Sequence, residues 1–253
     1  MSISRSCVSA TAFIVVLLAT SLASRPQSLP ATPHTPDLLG IYPGMPMGAA
    51  KAQLQKRSST VYVTTNSRPE TGFGLTNPDP ANHEVTLVYL TLAPNEPTVW
   101  MITRSQSFYQ GNLMSQNSVI TALREKYGKE TYTRDQGGGG LYIYWLFDQG
   151  GKLLTTADQT LQGCNGGQVS LYMANGLPLA LTPVEQTCFK SYFGVKASFN
   201  TGANGLLNSY VVEMANFPYA YKAALNTLNA RNAEAEKARL EQQKKADKNK
   251  PSF

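Results

Sequence analysis

Two histidines, three cysteines and sixteen carboxylates are the side chains with which this chain could do acid–base, nucleophilic or metal chemistry. His34 stands among prolines, where nothing preorganises a general base. His83 ends a polar loop just before a strand-like segment, so a His-dependent base or nucleophile pair would have to use it. A solvated loop position is the plainer expectation for that residue. The chain has no Gly-x-Ser-x-Gly elbow and no His-Glu-x-x-His zinc pattern. The glycine run 137–140 is not followed by Gly-Lys-Ser/Thr; Leu141 opens a strand instead, so a turn is expected there and not a phosphate cradle. Glycoside hydrolysis needs two carboxyl groups held a defined distance apart. Glu84, Asp148, Asp158 and Glu213 lie in or beside expected strands, but spacing along the chain brings no two of them together. The expectation is therefore no catalytic residue, no metal ligand set and no cofactor.

The cysteines point to a compartment. Cys7 lies in the first 23 residues, which read as a removable export signal. Arg5 gives the positive start, an apolar run centred on residues 13–18 follows, and Ser21-Leu22-Ala23 offers the small residues a signal peptidase reads, with cleavage expected before Ser24. The run is shorter than the roughly 20 residues that span a bilayer. Cys7 precedes the run, so a lipid anchor is not expected, and no later segment is apolar enough to cross a membrane. Cys164 and Cys188 then remain, an even count suited to an oxidising compartment, and they are expected to bond to each other. Gly163-Cys164-Asn165-Gly166-Gly167 is expected to be a tight turn carrying that disulfide, with no neighbouring base to make a reactive thiol. A periplasmic or secreted protein is expected.

Aromatic side chains supply the other candidate site. Tyr142, Tyr144, Trp145 and Phe147 form one cluster, and Tyr89, Trp100 and Phe108 another. Both fit core packing. The functional alternative is a binding face for a protein or a glycan built on Tyr142, Tyr144, Trp145 and Trp100. The net charge of +6 is uneven: residues 231–250 carry seven Lys/Arg against four Asp/Glu. Lys244, Lys245, Lys248 and Lys250 could touch an anionic envelope surface or partner, although a solvated helix with i,i+3 and i,i+4 pairs accounts for the same charges. No basic stripe is interleaved with aromatics, so nucleic acid is not an expected partner.

The elements that must position these groups follow from pattern. Residues 24–37 are a proline-rich linker, with Pro26, Pro30, Pro33 and Pro36. One α+β domain is expected over residues 38–217, and a charged helical tail over 218–253. Within the domain, short helices are expected over 47–56 and 115–127. The second has Val119, Ile120, Leu123 and Tyr127 on one face and Gly128 at its end. Strands are expected over 61–63, 84–92, 99–105, 141–147, 168–173, 195–199 and 208–214, and a polar loop over 68–82. Helix followed by antiparallel strands occurs twice, from Met47 and from Ser115, which hints at an internal duplication of topology. The tail's apolar residues after Ala230 are mostly alanines, so that half is expected to project.

Leu39-Gly40-Ile41-Tyr42-Pro43-Gly44-Met45-Pro46-Met47-Gly48 resembles the Gly-Met helix start of many exported bacterial domains, and is similar to that of the small outer-membrane assembly lipoproteins of the BamE/SmpA type. The β-lactamase-inhibitor-protein fold shares the helix-then-sheet plan. Ala122-Leu123-Arg124-Glu125-Lys126-Tyr127-Gly128-Lys129 also resembles a helix end of envelope proteins, with Glu130 standing where that pattern carries proline. The chain lacks the lipobox cysteine of the assembly lipoproteins, so their anchoring is not carried over. The likeness implies a layered α+β domain: an antiparallel sheet packed against two short helices, used for protein–protein contact. The resulting expectation is an exported, non-enzymatic binding module of the cell envelope, with an envelope protein or cell-wall glycan as partner. A carboxylate-dependent envelope glycan hydrolase is the alternative.

Overall fold

Alternating side chains organise the sheet. Along β3 (Asn82–Leu90) the residues at even numbers from Glu84 to Leu90 are buried, while those between them stay half wet. β9 (Leu206–Asn216) repeats the pattern, with Leu207, Tyr210, Val212 and Met214 buried. An antiparallel sheet with one face packed and one face solvated leaves this signature.

The computed structural model describes residues 36–58, 62–63, 72–77, 82–109, 112–137, 140–156, 161, 164, 182–202 and 205–248. All of them belong to one unit, Pro33–Phe253. The other elements are α1 (Met47–Gln55), β1 (Tyr62–Val63), β2 (Gly72–Asn77), β4 (Val99–Phe108), β5 (Met114–Ser115), α2 (Gln116–Tyr127), β6 (Tyr132–Gly137), β7 (Gly140–Leu146), α3 (Pro183–Ser191), β8 (Phe193–Thr201) and α4 (Phe217–Lys248). The strands form one antiparallel sheet in the order β1-β2-β3-β4-β9-β8-β7-β6, with β5 paired to β9. Helix α1 precedes β1–β4, and helix α2 precedes β6–β9. The final strands of the two halves, β4 and β9, pair at the centre of the sheet. The duplicated topology is therefore present, with both halves contributing to one sheet.

Helices α1 and α2 cover one face. Ala50 and Leu54 of α1, and Val119, Ile120 and Tyr127 of α2, join a core with Val88, Ile102, Val212 and Val195. Ser115 caps α2, its Oγ accepting from the Ser118 N–H at 3.2 Å. Gly128 ends the helix at φ 86°, a backbone state that L side chains rarely adopt. Its carbonyl accepts from Trp145 Nε1 at 2.8 Å, which locks the helix end to β7.

A second core lies on the opposite face, at one end of the strands. Phe189 of α3, and Phe217 and Ala220 of α4, pack there on Trp100, Met101 and Leu146. Cys164 and Cys188 are bonded in this core, tying the segment before α3 to the helix itself. Helix α4 is pinned by Asn95, whose Nδ2 donates to the Ala223 carbonyl at 2.9 Å, and by a hydrogen bond between Thr98 Oγ1 and the Tyr219 hydroxyl.

Three elements differ from expectation. The expected polar loop over 68–82 contains β2, whose residues 72–75 are all buried, with Phe73 and Leu75 packed under the helices. Helix α3 adds a third short helix to the expected two. Its start is a capping box, Thr182 and Glu185 bonding each other's backbone N–H, followed by Pro183. Strand β6 is a polar edge strand in a stretch where no strand was expected. The expected strand over 168–173, the export signal and most of the proline-rich linker lie outside the described residues.

Candidate open-face binding surface

Among the described residues, the face opposite α1 and α2 is covered by α3 and α4 at one end. From the edge of that cover outward, where Tyr144 is part of the second core and Tyr132 and Tyr142 pack against it, the register lays out three rows. The first is Leu87, Thr103, Glu213, Lys196, Tyr144 and Tyr132. The second is Val85, Ser105, Val211, Ser198, Tyr142 and Arg134. The third is His83, Ser107, Ser209, Asn200 and Gly140. Apart from buried Tyr144, these residues are half-buried or exposed, and Val211 at the centre is 37% exposed. Six strands spaced about 4.8 Å apart, and three rows about 7 Å apart along the strands, give a surface of about 400 Å².

Aromatic and charged groups gather at the β6–β7–β8 end. The Tyr132 and Tyr144 rings stack with centroids 4.3 Å apart, and Tyr142 meets Tyr144 edge-on at 6.4 Å. The Lys196 ammonium lies 4.6 Å from the Tyr142 ring centroid, a cation–π arrangement. Arg134 is exposed and directly opposite Tyr142 in the register. Burial pushes the Tyr144 phenol up to about 12, and the neighbouring Tyr142 adds to the rise. Burial, and then Tyr144, raises Tyr132 as well. Both phenols are therefore neutral at physiological pH, and the two rings stack on each other at the edge of the surface.

Of the four aromatics singled out from the sequence, Tyr142 alone is not fully buried; it is half-buried and packs against the second core at the edge of this surface. Tyr144, Trp145 and Trp100 are 1%, 0% and 2% exposed. Trp145 belongs to the core under α1 and α2, while Trp100 and Tyr144 belong to the one beneath α3 and α4. These three side chains are interior, and their bulk holds the sheet that displays Tyr142. Arg134, Lys196 and Val211 were missed, because single polar or aliphatic residues on short strands carry no signal until the register sets them beside one another.

The carboxylates do not assemble. Glu84 points to the helix-covered face, where Arg104 donates to it twice, from Nε at 3.1 Å and Nη2 at 2.9 Å, and Arg57 donates at 3.4 Å. Burial alone would raise its pKa, but Arg104 and then Arg57 more than offset this and hold it below the ordinary value. Glu213 stands on the other face, opposite Lys196. Asp148 Oδ1 accepts from the backbone N–H groups of Gly150 and Lys152, organising a turn. Asp158 and His34 lie outside the described residues, and His83 sits in the outermost row of the open face.

The tail is a helix. Phe217, Ala220, Ala223 and Thr227 are buried, whereas every residue from 231 to 248 is exposed. Lys244, Lys245 and Lys248 lie on this exposed stretch, and Lys250 lies outside the described residues. On this stretch Arg239 pairs with Glu236 at 2.8 Å. No helix among the described residues is long and apolar enough to cross a membrane. No protein-family model, no curated protein and no solved structure matches this chain.

Proposed function

We propose that this chain is an exported, non-enzymatic binding module of the cell envelope, periplasmic or secreted, whose working surface is the open sheet face. The observation that carries the reading is the six-strand surface itself. It is backed by a core that includes Trp145, and it carries Tyr142, Lys196, Arg134 and Val211 in adjacent rows. A tyrosine flanked by cations and short hydroxyl side chains is the composition of a recognition surface. The Cys164–Cys188 bond supports an oxidising compartment. The hydrolase alternative draws no support from Glu84 and Glu213, which occupy opposite faces.

Retention of the protein on cell-wall material or on an envelope protein tests this reading, with Val211→Arg as the blocking variant. Loss of saturable binding in the variant, with folding unchanged, is the expected result; equal binding by both proteins overturns it. The exposed stretch of α4 favours a second role, as a tether. In that role, removing residues 231–253 abolishes localisation while leaving the open face competent to bind.

A further inference from the structure

We propose that the occupant of the open face is a protein segment that presents carboxylates beside aliphatic side chains, received at the corner formed by Arg134, Tyr142 and Lys196. This rests on the reading of that face as the binding surface, and it names the chemistry of the partner. Charge comes first. Across the three rows the acidic residue among those described is Glu213, half-buried in the innermost row opposite Lys196. Lys196 lies in that same innermost row over the Tyr142 ring and Arg134 stands exposed one row farther out, so two cations against one carboxylate leave the corner with a net positive charge. The β3–β4 end carries Val85, Leu87, Thr103 and Ser105 and no acidic or basic side chain apart from His83.

The form of the occupant follows from the rest of the surface. Two cations are too few for a polyanion that binds by counterion release along its length. The exposed Val211, with Val85 one strand beyond Ser105, offers apolar contact next to the charged corner. Arginine and tyrosine are the residue types that anchor protein interfaces, and the surrounding serines supply adaptable hydrogen bonds. A face of about 400 Å² is half of what one partner buries in a standard protein–protein interface, a scale suited to one protruding segment. Arg134 can grip a carboxylate with two parallel N–H donors, and Lys196 adds a second charge over the ring.

The test is panning of the full-length protein against a displayed library of short random peptides, followed by calorimetry on the enriched peptides. Three proteins are compared: the unaltered chain, Val211→Arg, and the double variant Arg134→Ser with Lys196→Ser. All changes fall on solvated positions, and circular dichroism verifies folding. The expected result is enrichment of peptides with Asp or Glu beside aliphatic residues. Their affinity falls at least about tenfold in the double variant and when their carboxylates are replaced by amides, and binding is lost in Val211→Arg. Enriched peptides that lack carboxylates but are still lost in Val211→Arg leave the face as the binding surface and overturn the acidic partner. Peptides indifferent to Val211→Arg, or no enrichment at all, overturn both.

Discussion

Replacing Glu84 by Gln removes one negative charge from a largely shielded site and leaves the shape of the side chain intact. The Glu84 side chain is 12% exposed and its main partner Arg104 is 24% exposed, whereas Arg57 is 42% exposed and adds little. Breaking a fully buried ion pair costs about 3–5 kcal/mol because a charge is stranded, and an exposed pair is worth about 0–1 kcal/mol. The site lies between these limits, and the amide oxygen still accepts one of the bonds from Arg104. The expected loss is about 2 kcal/mol at neutral pH. Its pH dependence has a definite sign. The folded-state pKa of Glu84 is depressed below 4.5. The stabilisation is therefore present above the unfolded value and disappears as pH falls through the folded one. Urea unfolding of both proteins, from about pH 7 down to about pH 3, measures the gap. It should stay near 2 kcal/mol until the unfolded value is reached and narrow below it. A gap below about 0.5 kcal/mol at neutral pH, or one that does not change with pH, refutes the reasoning.

Three further outcomes are expected. Replacing both Cys164 and Cys188 by Ala reopens a 24-residue separation and should cost about 3 kcal/mol in the same urea experiment. Gly194→Ala would put a Cβ 2.6 Å from the Trp145 carbonyl oxygen and 2.7 Å from Leu146 Cδ2 at the β7–β8 pairing, so a loss of about 1–3 kcal/mol is expected in thermal unfolding. Deleting residues 231–253 removes an exposed stretch of helix and should leave the melting temperature of the body unchanged within about 2 °C.

Much of this fold was legible wherever one residue type dominated a period. Helix α2 carries an apolar stripe, a serine cap and a terminal glycine, and both its ends agree with the sequence reading to within a residue. The disulfide followed from counting cysteines. Strand β2 was hidden because Gly72 and Gly74 read as loop, which leaves Phe73 and Leu75 as its only large apolar side chains. Helix α3 was missed despite a legible signal, Thr182-Pro183-Val184-Glu185, because its nine residues hold few apolar side chains. The aromatic clusters show the limit for the site. Tyr142 and Trp145 are three apart on one strand and so point to opposite faces, and which face is wet depends on helices far away in the chain.

Site-specific photocrosslinking in living cells tests the open face most directly. A photoreactive phenylalanine analogue at Ser198, in the middle row, is compared with the same group at the exposed Lys51 of α1. The predicted result is a discrete adduct from position 198 that is absent at position 51 and lost when Val211→Arg is added. Adducts from position 51 with none from position 198 would contradict the assignment of this face as the binding surface.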